Sequence, residues 1–497
     1  MFNIKTINID SGDELKVLIN QDLADKLRLH SQEKVIIQSL DKSRKIICIL
    51  AVDTKNSLKK NTIGVYKKAA ELLDAKDFTR GVDIFSAPKP KSLEYVRLKF
   101  ENKIRLEHRH FMEILEDILN RSYGKIETTY FVLACSAHPL NDAETIALTQ
   151  AMVDCGKHLD FQSKERPIIV DKHCIGGVPN NRTTMLAIPL VMAAGLTIPK
   201  TSSRAITSPS GTADTMEVLC NVDLDLDELF SQVNEIGGSI AWGGSLDLSP
   251  ADDIIIKVEH PLHIDTEGQM IASILSKKKS AGSTHVLIDI PYGKHTKVET
   301  LQKAKHLEKR FKIVGQAIGL EIAVTLTPGS EPIGNGIGPY FEALDVLAVL
   351  ANSKYAPQDL RKKAMYVTGQ LFEFAKVVKK GEGEKHAQAI IESGLGYEMF
   401  EKIRKAQGYK ELPEFPKYGD DIVAKHDGKV KAINNVYISK LAYALGCPQT
   451  KTAGIIIKKK VGDTVQKGDV LFEIYAESET KLNYALRYMD EHFPYIY

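Results

Sequence analysis

The stretch VDKHCIGGVPNNRTTMLAIPLVMAAGLTIPKTSSRAITSPSGTADTMEVL, residues 170–219, decides the fold of this chain. It contains two loops rich in glycine and hydroxyl side chains, and each loop follows a strand-like run and leads into a helix-like run. Gly176 and Gly177 let the backbone approach a ligand closely, and a helix that begins near Arg182 points unpaired N–H groups back at the same place. The stretch therefore predicts an anion site in an open α/β sheet.

The second loop repeats this arrangement with several hydroxyl donors and one planar cation, Arg204. In the first loop, Lys172 and His173 add positive or protonatable groups. Two such loops indicate a phosphorylated substrate, free phosphate, or both. On composition alone, the alternative that both loops are ordinary connectors between strands and helices stays open. Neither loop ends in GK[ST] as a Walker sequence does, and neither has the glycine fingerprint of a dinucleotide site.

The composition is typical of a soluble enzyme. The chain has 497 residues, with 66 Lys and Arg against 64 Asp and Glu, so no overall basic field indicates nucleic acid as a partner. The first residues resemble neither a signal nor a transit peptide, and no apolar run is long enough for a membrane span. The six cysteines show no zinc-site spacing, so reduced thiols and a cytoplasmic location are expected.

A family resemblance follows from these motifs. The pattern DKHxxGGV, then a proline-bounded apolar helix, then SR and GTxD, resembles the pyrimidine nucleoside and thymidine phosphorylases. The longer strings KHCIGGVP and SRAITS are more similar to the archaeal AMP phosphorylases and the long bacterial thymidine-phosphorylase-like proteins. The resemblance runs from about Leu93 to the C-terminus. It implies a pentosyltransferase that uses inorganic phosphate as co-substrate, needs no metal or other cofactor, acts on a nucleoside or nucleotide, and assembles as a homodimer or larger homo-oligomer.

The expected fold is an α/β multidomain architecture. A pattern of strand, short helix and strand recurs at a period near 46 residues in the N-terminal segment and suggests a pseudo-symmetric β-barrel. The predicted parts are the N-terminal β-barrel-like domain (1–91), a small α-helical domain (94–165, completed by about 255–282), a large α/β phosphate-binding domain (166–254 and 283–414) and a β-rich C-terminal region (415–497).

The resemblance also implies roles for individual residues. The phosphate-binding positions of the thymidine phosphorylases match Lys172, Cys174, Thr184, Ser202 and Thr212, and His173 falls beside the sugar and base. The nucleotide-binding positions of the AMP phosphorylases match Gly177, Ser203, Arg204, Ala205, Ile206, Thr207, Ser208, Thr212, Ser273 and Lys297. Cys174 is not expected to act as a nucleophile, because the related enzymes carry a serine there and form no covalent intermediate.

The residues around the base leave the substrate open. Ser273 and Lys277 match a serine and a lysine that hold the pyrimidine in the thymidine enzymes, but Val258 stands where those enzymes carry an arginine. Asp265 matches the proton donor to the base in the AMP phosphorylases. Asp265 also precedes a helix-like run, where an N-cap role is as well supported as catalysis.

We therefore expect AMP-phosphorylase-like chemistry, with thymidine phosphorylase as the close alternative. Anthranilate phosphoribosyltransferase chemistry is a distant third alternative, because it requires magnesium-binding acidic residues and the segment between Lys172 and Thr212 contains none. A non-enzymatic nucleotide sensor is the fourth possibility.

Overall fold

The computed structural model of the chain describes residues 2–12, 14–73, 81–205 and 208–497. The N-terminal elements are β1 (Asn3–Ile7), β2 (Lys16–Asn20), α1 (Gln21–Leu27), β3 (Lys34–Ser39), β4 (Lys45–Asp53), β5 (Thr62–Tyr66), α2 (Lys67–Leu73) and β6 (Val82–Ser86). The strands form one mixed sheet in the order β1-β5-β2-β4-β3-β6. Two backbone hydrogen bonds between Phe2 and Val82, of 2.8 and 2.9 Å, also join the two outer strands.

The predicted repeat is confirmed in this sheet. The units β2-α1-β3 and β5-α2-β6 have the same order of elements, and they begin at Lys16 and Thr62, 46 residues apart. Alternate residues of the strands, such as Val17 and Ile19, are fully buried because successive side chains of a strand point to opposite faces.

Four helices follow the sheet: α3 (Leu93–Phe100), α4 (His108–Leu119), α5 (Lys125–Ala137) and α6 (Asp142–Asp154). The sequence Asn141-Asp142-Ala143-Glu144 predicts a helix start with Asn141 as its cap, and α6 begins at Asp142 with Asn141 as its N-cap residue. The Asn141 side chain accepts a hydrogen bond from the backbone N–H of Glu144 at 2.9 Å, and the Glu144 carboxylate accepts one from the N–H of Asn141 at 3.2 Å. This reciprocal cap satisfies two N–H groups that the helix itself leaves unpaired.

The central part alternates strands and helices. Its elements are β7 (Val170–Cys174), α7 (Thr183–Ala193), β8 (Ile198–Ser202), α8 (Thr212–Met216), α9 (Leu226–Ile236), β9 (Gly238–Trp242), α10 (Pro250–Leu262), α11 (Glu267–Ser280), β10 (His285–Tyr292), α12 (Leu301–Ala317) and β11 (Glu321–Pro328). Strand β10 pairs in parallel with β7 and β11, and β8 pairs in parallel with β9. A parallel bridge between Ile169 and Thr197 connects the two groups. Because β7 and β8 run in the same direction, the loops that follow them leave from the same edge.

The remaining elements are β12 (Gly336–Ile337), α13 (Pro339–Leu350), α14 (Gln358–Phe374), α15 (Gly383–Glu392), α16 (Leu395–Ala406), β13 (Tyr418–Val423), β14 (Gly428–Lys429), β15 (Ala432–Ile433), α17 (Asn435–Leu445), β16 (Gly454–Ile457), β17 (Thr464–Val465), β18 (Val470–Ala476), α18 (Glu479–Glu491) and β19 (Tyr495–Ile496). Strands β12, β16, β18 and β13 form an antiparallel sheet, which buries Ile455 and Phe472 in a core of its own.

The chain divides into two compact units, Met1–Leu140 with Pro250–Thr266, and Asn141–Ser249 with Glu267–Tyr497. The predicted helical segment is therefore shared: α3, α4, α5 and α10 belong to the first unit, whereas α6 packs against α11 in the second. In the part of the chain that the structure describes, no helix is both long enough and apolar enough to cross a membrane.

Candidate active site

The first loop brings Lys172 against the start of the next helix. Lys172 lies on β7 and is fully buried, and its Nζ donates hydrogen bonds to the hydroxyls of Thr183 and Thr184 at 2.6 and 3.2 Å. Burial lowers the pKa of Lys172, while the carboxylate of Asp289 partly opposes this effect. Thr184 is a predicted site residue, whereas Thr183 was not identified from the sequence.

The glycines of this loop allow a close backbone approach. Gly177 has a φ of +87°, and a Cβ at this position would lie 2.8 Å from the backbone nitrogen of Lys297. Residues with a Cβ disfavour this backbone conformation, and a Cβ at position 177 would clash with the backbone of Lys297. The structure thus brings together the predicted residues Gly177 and Lys297, although the Lys297 side chain is exposed.

The second loop is held closed by Asp214. Its Oδ2 accepts hydrogen bonds from the backbone N–H groups of Ala205, at 2.6 Å, and Gly211, at 2.9 Å. A Cβ on Gly211 would lie 2.5 Å from the carbonyl carbon of Arg204, so the two ends of the loop meet only because residue 211 is a glycine. These contacts fix the loop directly before Thr212, the first residue of α8.

The other predicted residues of this loop differ in exposure. Ser202 ends β8 and is half-buried, and Ser203 is exposed. The Ser208 hydroxyl donates to the carbonyl oxygen of Ser210 at 2.8 Å. Ile206 and Thr207 lie outside the described residues.

Arg182, whose sequence position predicts only a helix start, contacts both loops. It is the N-cap residue of α7, and its guanidinium donates to the Thr212 hydroxyl at 2.9 Å and to the Ser210 carbonyl at 2.7 Å. Its Nε lies 2.5 Å from a carboxylate oxygen of Glu342 on α13. Both side chains of this ion pair are buried. The two loops therefore share one buried cation.

We expect the substitution Arg182→Met to lower the free energy of unfolding by about 3 to 5 kcal/mol at about pH 8, because it leaves the Glu342 carboxylate buried without its cation. Burial raises the pKa of Glu342 to about 7 from its ordinary 4.5, although Arg182 opposes this shift. Such a carboxyl takes up a proton on folding between these two values, so its contribution to stability falls as the pH rises through that range. Removing Arg182 raises the pKa of Glu342 further, so the stability of the variant continues to fall above pH 7.

Urea unfolding of both proteins at about pH 5.5 and about pH 8 measures this loss, which should be smaller at the lower pH. The double variant Arg182→Met/Glu342→Gln is the matched control, because without the carboxyl the difference between the two pH values should disappear. A loss of equal size at both pH values in the single variant would contradict the assignment.

Next to the first loop, one carboxylate is shared by two buried lysines. Asp171 lies 2.8 Å from the Nζ of Lys278 and 3.4 Å from the Nζ of Lys200. Burial lowers the pKa of His173 on the same strand well below its ordinary value, and Lys200 and Lys278 act in the same direction. His173 is therefore a neutral imidazole near pH 7, able to donate one hydrogen bond and accept another.

A second carboxylate, Asp289 on β10, pairs in register with Cys174 and interacts electrostatically with Lys172. It accepts a hydrogen bond from the Thr327 hydroxyl at 2.6 Å, and the Nζ of Lys363 on α14 lies 3.5 Å away. Burial favours the protonated carboxyl, but Lys363 and Lys172 outweigh it and lower the pKa of Asp289. No sequence motif pointed to Asp289 or Lys363.

Lys172 differs from the other buried basic residues around the two loops. The cationic groups of Arg182, Lys200 and Lys278 each lie within 3.4 Å of a buried carboxylate oxygen, whereas in the described part of the chain the Lys172 Nζ is hydrogen-bonded to the hydroxyls of Thr183 and Thr184. Burial also lowers the pKa of Lys200. An anion that entered between the loops would give Lys172 a charged partner and would favour its protonated form.

The Cys174 sulfur is hydrogen-bonded within the first loop. Its sulfur accepts hydrogen bonds from the side-chain amide of Asn181, at 3.0 Å, and from the backbone N–H of Gly176, at 3.5 Å. Burial raises the pKa of the Cys174 thiol. A thiol is a poor nucleophile when its thiolate is disfavoured, so the geometry agrees with the expectation that Cys174 forms no covalent intermediate.

The predicted base-contacting residues fall in both units. Ser273 and Lys277 lie four residues apart on α11, on one face of the helix. Asp265 is exposed and belongs to the first unit. Helix α11 begins at Glu267, two residues after Asp265, so both the N-cap role and the catalytic role of Asp265 stay predictions.

The sequence of the chain is similar to those of known proteins. Residues 166–397 match the family described as "Glycosyl transferase family, a/b domain", and residues 429–495 match the "Pyrimidine nucleoside phosphorylase C-terminal domain". The protein of Acidovorax sp. (strain JS42) named "Putative thymidine phosphorylase 1" is 43% identical over 454 residues, which cover 91% of this chain and 88% of that protein. The "Putative thymidine phosphorylase" of Hahella chejuensis (strain KCTC 2396) is 40% identical over 494 residues, or 98% and 96% of the two chains.

Among solved structures, the anthranilate phosphoribosyltransferase of Thermus thermophilus is similar, with a TM-score of 0.52 and 16% sequence identity over 63% of this chain and 98% of that one. At this identity the similarity concerns the fold alone, and it assigns the large α/β part to the same fold. The sequence matches are much stronger and extend over nearly the whole chain. The chain therefore belongs to the pyrimidine nucleoside phosphorylase family.

Proposed function

We propose that this chain cleaves the N-glycosidic bond of a nucleoside 5′-monophosphate by phosphorolysis, with AMP as the leading substrate. An oxygen of inorganic phosphate attacks the anomeric carbon as the bond from that carbon to the base breaks. The base takes up a proton and leaves, and the pentose keeps its 5′-phosphate and gains a 1-phosphate. The proposed reaction requires no metal or organic cofactor.

The observation that carries the proposal is the fully buried Lys172, whose Nζ is hydrogen-bonded, in the described part of the chain, to the hydroxyls of Thr183 and Thr184 and not to a carboxylate. Phosphate is largely a dianion at neutral pH, and a protonated lysine in a water-excluded site stabilises it strongly. We assign Lys172, Thr184, Ser202 and Thr212 to the attacking phosphate. The neutral imidazole of His173 can then donate a hydrogen bond beside the sugar without adding a positive charge next to the developing oxocarbenium ion.

The preference for a nucleotide rests on two residues. Val258 is apolar and buried on α10, at the position where the thymidine enzymes carry a base-binding arginine. Arg204 lies on the second loop, where its planar guanidinium can bind a 5′-phosphate in a bidentate manner. Asp265 is assigned as the acid that protonates the leaving base.

Thymidine phosphorylase is the second candidate. The relatives that match over most of their length carry that name. Ser273 and Lys277 are both present on one face of α11, and they are the residues that hold a pyrimidine in the thymidine enzymes.

A substrate panel separates the two candidates. The purified full-length chain is incubated with AMP, CMP, adenosine, thymidine or uridine, with and without inorganic phosphate, and the release of free base is quantified by chromatography. We expect phosphate-dependent release of adenine from AMP, with at least about tenfold lower kcat/KM for adenosine, because a lost charge-assisted contact costs about 1.5 kcal/mol or more. Turnover of thymidine without turnover of any nucleotide would assign the second function.

Two structural proposals accompany the function. The six-stranded N-terminal sheet is a closed barrel, which the hydrogen bonds between Phe2 and Val82 support. The chain assembles as a homodimer or larger homo-oligomer, which its mass in solution would test.

A further inference from the structure

Arg204 is already paired with a carboxylate inside the chain. Its Nη1 and Nη2 donate to the two carboxylate oxygens of Glu217 at 2.7 and 2.9 Å, the bidentate geometry in which guanidinium binds carboxylate or phosphate. The guanidinium also lies 4.7 Å above the ring of Trp242. About a third of the Arg204 side chain is exposed, so a ligand can reach it.

Glu217 has a second cationic partner. The Nζ of Lys451, in the segment that follows α17, lies 2.6 Å from the carboxylate oxygen that also faces Arg204. Arg204 and Lys451 together lower the pKa of Glu217 to about 2, although burial opposes this shift. Glu217 is therefore an anion at neutral pH. It is held from one side by the second loop and from the other by the C-terminal region.

We propose that Glu217 is an internal anion that occupies Arg204 until the 5′-phosphate of the substrate replaces it, and that Lys451 keeps Glu217 paired during this exchange. The proposal rests on the proposed function, because it assigns the 5′-phosphate to Arg204. It makes Glu217 and Lys451 specificity-determining residues, although neither contacts the reacting atoms.

The exchange has a low electrostatic cost. When the phosphate takes the two N–H donors of Arg204, Lys451 remains 2.6 Å from Glu217 and 3.5 Å from Asp214. Of the three carboxylates near Arg204, only the half-exposed Asp223 then loses its cation to the substrate, and water can solvate it. A phosphate dianion binds guanidinium more strongly than a carboxylate does, so it can displace Glu217. A nucleoside has no such group and leaves the pair intact, which favours nucleotides over nucleosides.

Trp242 provides a direct readout of the exchange. It is the only tryptophan among the 497 residues, so the intrinsic fluorescence of the full-length chain reports its surroundings alone. We expect a titration with AMP, in the absence of inorganic phosphate, to change the tryptophan emission, because the anion paired with the guanidinium above the ring changes from carboxylate to phosphate. Adenosine at the same concentrations should leave the emission unchanged.

Substitutions then test the partners. Glu217→Gln removes the competing charge and should lower the KM for AMP by about three- to tenfold, with little change in the KM for adenosine. Lys451→Met removes the second partner of Glu217, should strengthen its pairing with Arg204, and should raise the KM for AMP. In the double variant Glu217→Gln/Lys451→Met, the increase in the KM for AMP caused by Lys451→Met should vanish. Asp223→Asn is the matched control, because Asp223 also lies 3.3 Å from Arg204 but is half exposed and lacks Lys451 as a partner.

The possible results have distinct meanings. If AMP is cleaved but neither the emission nor the KM of the Glu217 variant changes relative to wild type, the exchange is wrong and the proposed function stands. If AMP changes the emission and Glu217→Gln tightens its binding but AMP is not cleaved, the exchange stands and the proposed reaction is wrong. Equal effects of Glu217→Gln on AMP and adenosine would show a merely structural role and overturn the exchange.

Discussion

Replacing Lys172 by methionine is expected to lower kcat/KM for inorganic phosphate by about 100- to 1,000-fold, because the variant lacks a buried charge-assisted donor at the attacking oxyanion. The folded state should keep or gain stability. Burial already disfavours the charged lysine, and methionine fills a similar space without that cost. Asp289 keeps a cation, because Lys363 remains 3.5 Å away.

Initial rates at varied phosphate concentration, together with urea unfolding, measure both effects. The KM for the nucleotide serves as the internal control and should change by less than about threefold, because Lys172 is assigned to phosphate alone. Unchanged phosphate kinetics would remove Lys172 from the site. A large loss of stability in parallel with activity would make Lys172 a structural residue.

The substitution Asp265→Asn should slow the cleavage of AMP by about 100- to 10,000-fold, the usual contribution of a general acid. Asparagine has nearly the same shape as aspartate but has no carboxyl proton to give. Asp265 is exposed, so the free energy of unfolding should change by less than about 0.5 kcal/mol. Single-turnover rates of adenine release measure the effect on the chemical step.

A leaving group that needs no proton provides a sharper test. The base of 7-methylinosine 5′-monophosphate carries a positive charge and departs as a neutral molecule, so Asp265→Asn should spare its cleavage while slowing that of AMP. The neighbouring variant Glu267→Gln is the matched control and should affect both substrates alike. Equal slowing of the two substrates by Asp265→Asn would argue against proton donation.

Local patterns predicted the elements that carry the site. The sequence predicted strands β7 and β8, the glycine-containing loops after them, and helix α7 after the first loop. These elements were predictable because the spacing of apolar residues over a short stretch indicates which side chains are buried. The start of α6 was equally predictable, since the cap formed by Asn141 and Glu144 depends on residues three positions apart. The exact start of α11, at Glu267, was less predictable, because helix ends vary by one or two residues when no cap pair fixes them.

The partners of the charged residues could not be predicted in this way. Arg182 and Glu342 are 160 positions apart in the sequence, and they meet only because α7 and α13 pack together. The same holds for the contact of Glu217 with Lys451. Sequence motifs identified Arg204 as a cation near a ligand, but they did not show that a carboxylate of the chain already occupies it.

The discontinuity of the first unit has a consequence for synthesis on the ribosome. Its last segment, Pro250–Thr266, is translated only after residues 141–249, which include both loops of the candidate active site. At about 5 to 20 residues per second, the N-terminal part waits on the order of ten seconds for the helix that completes it. During this interval, α4 and α5 lack the helix that later packs against them.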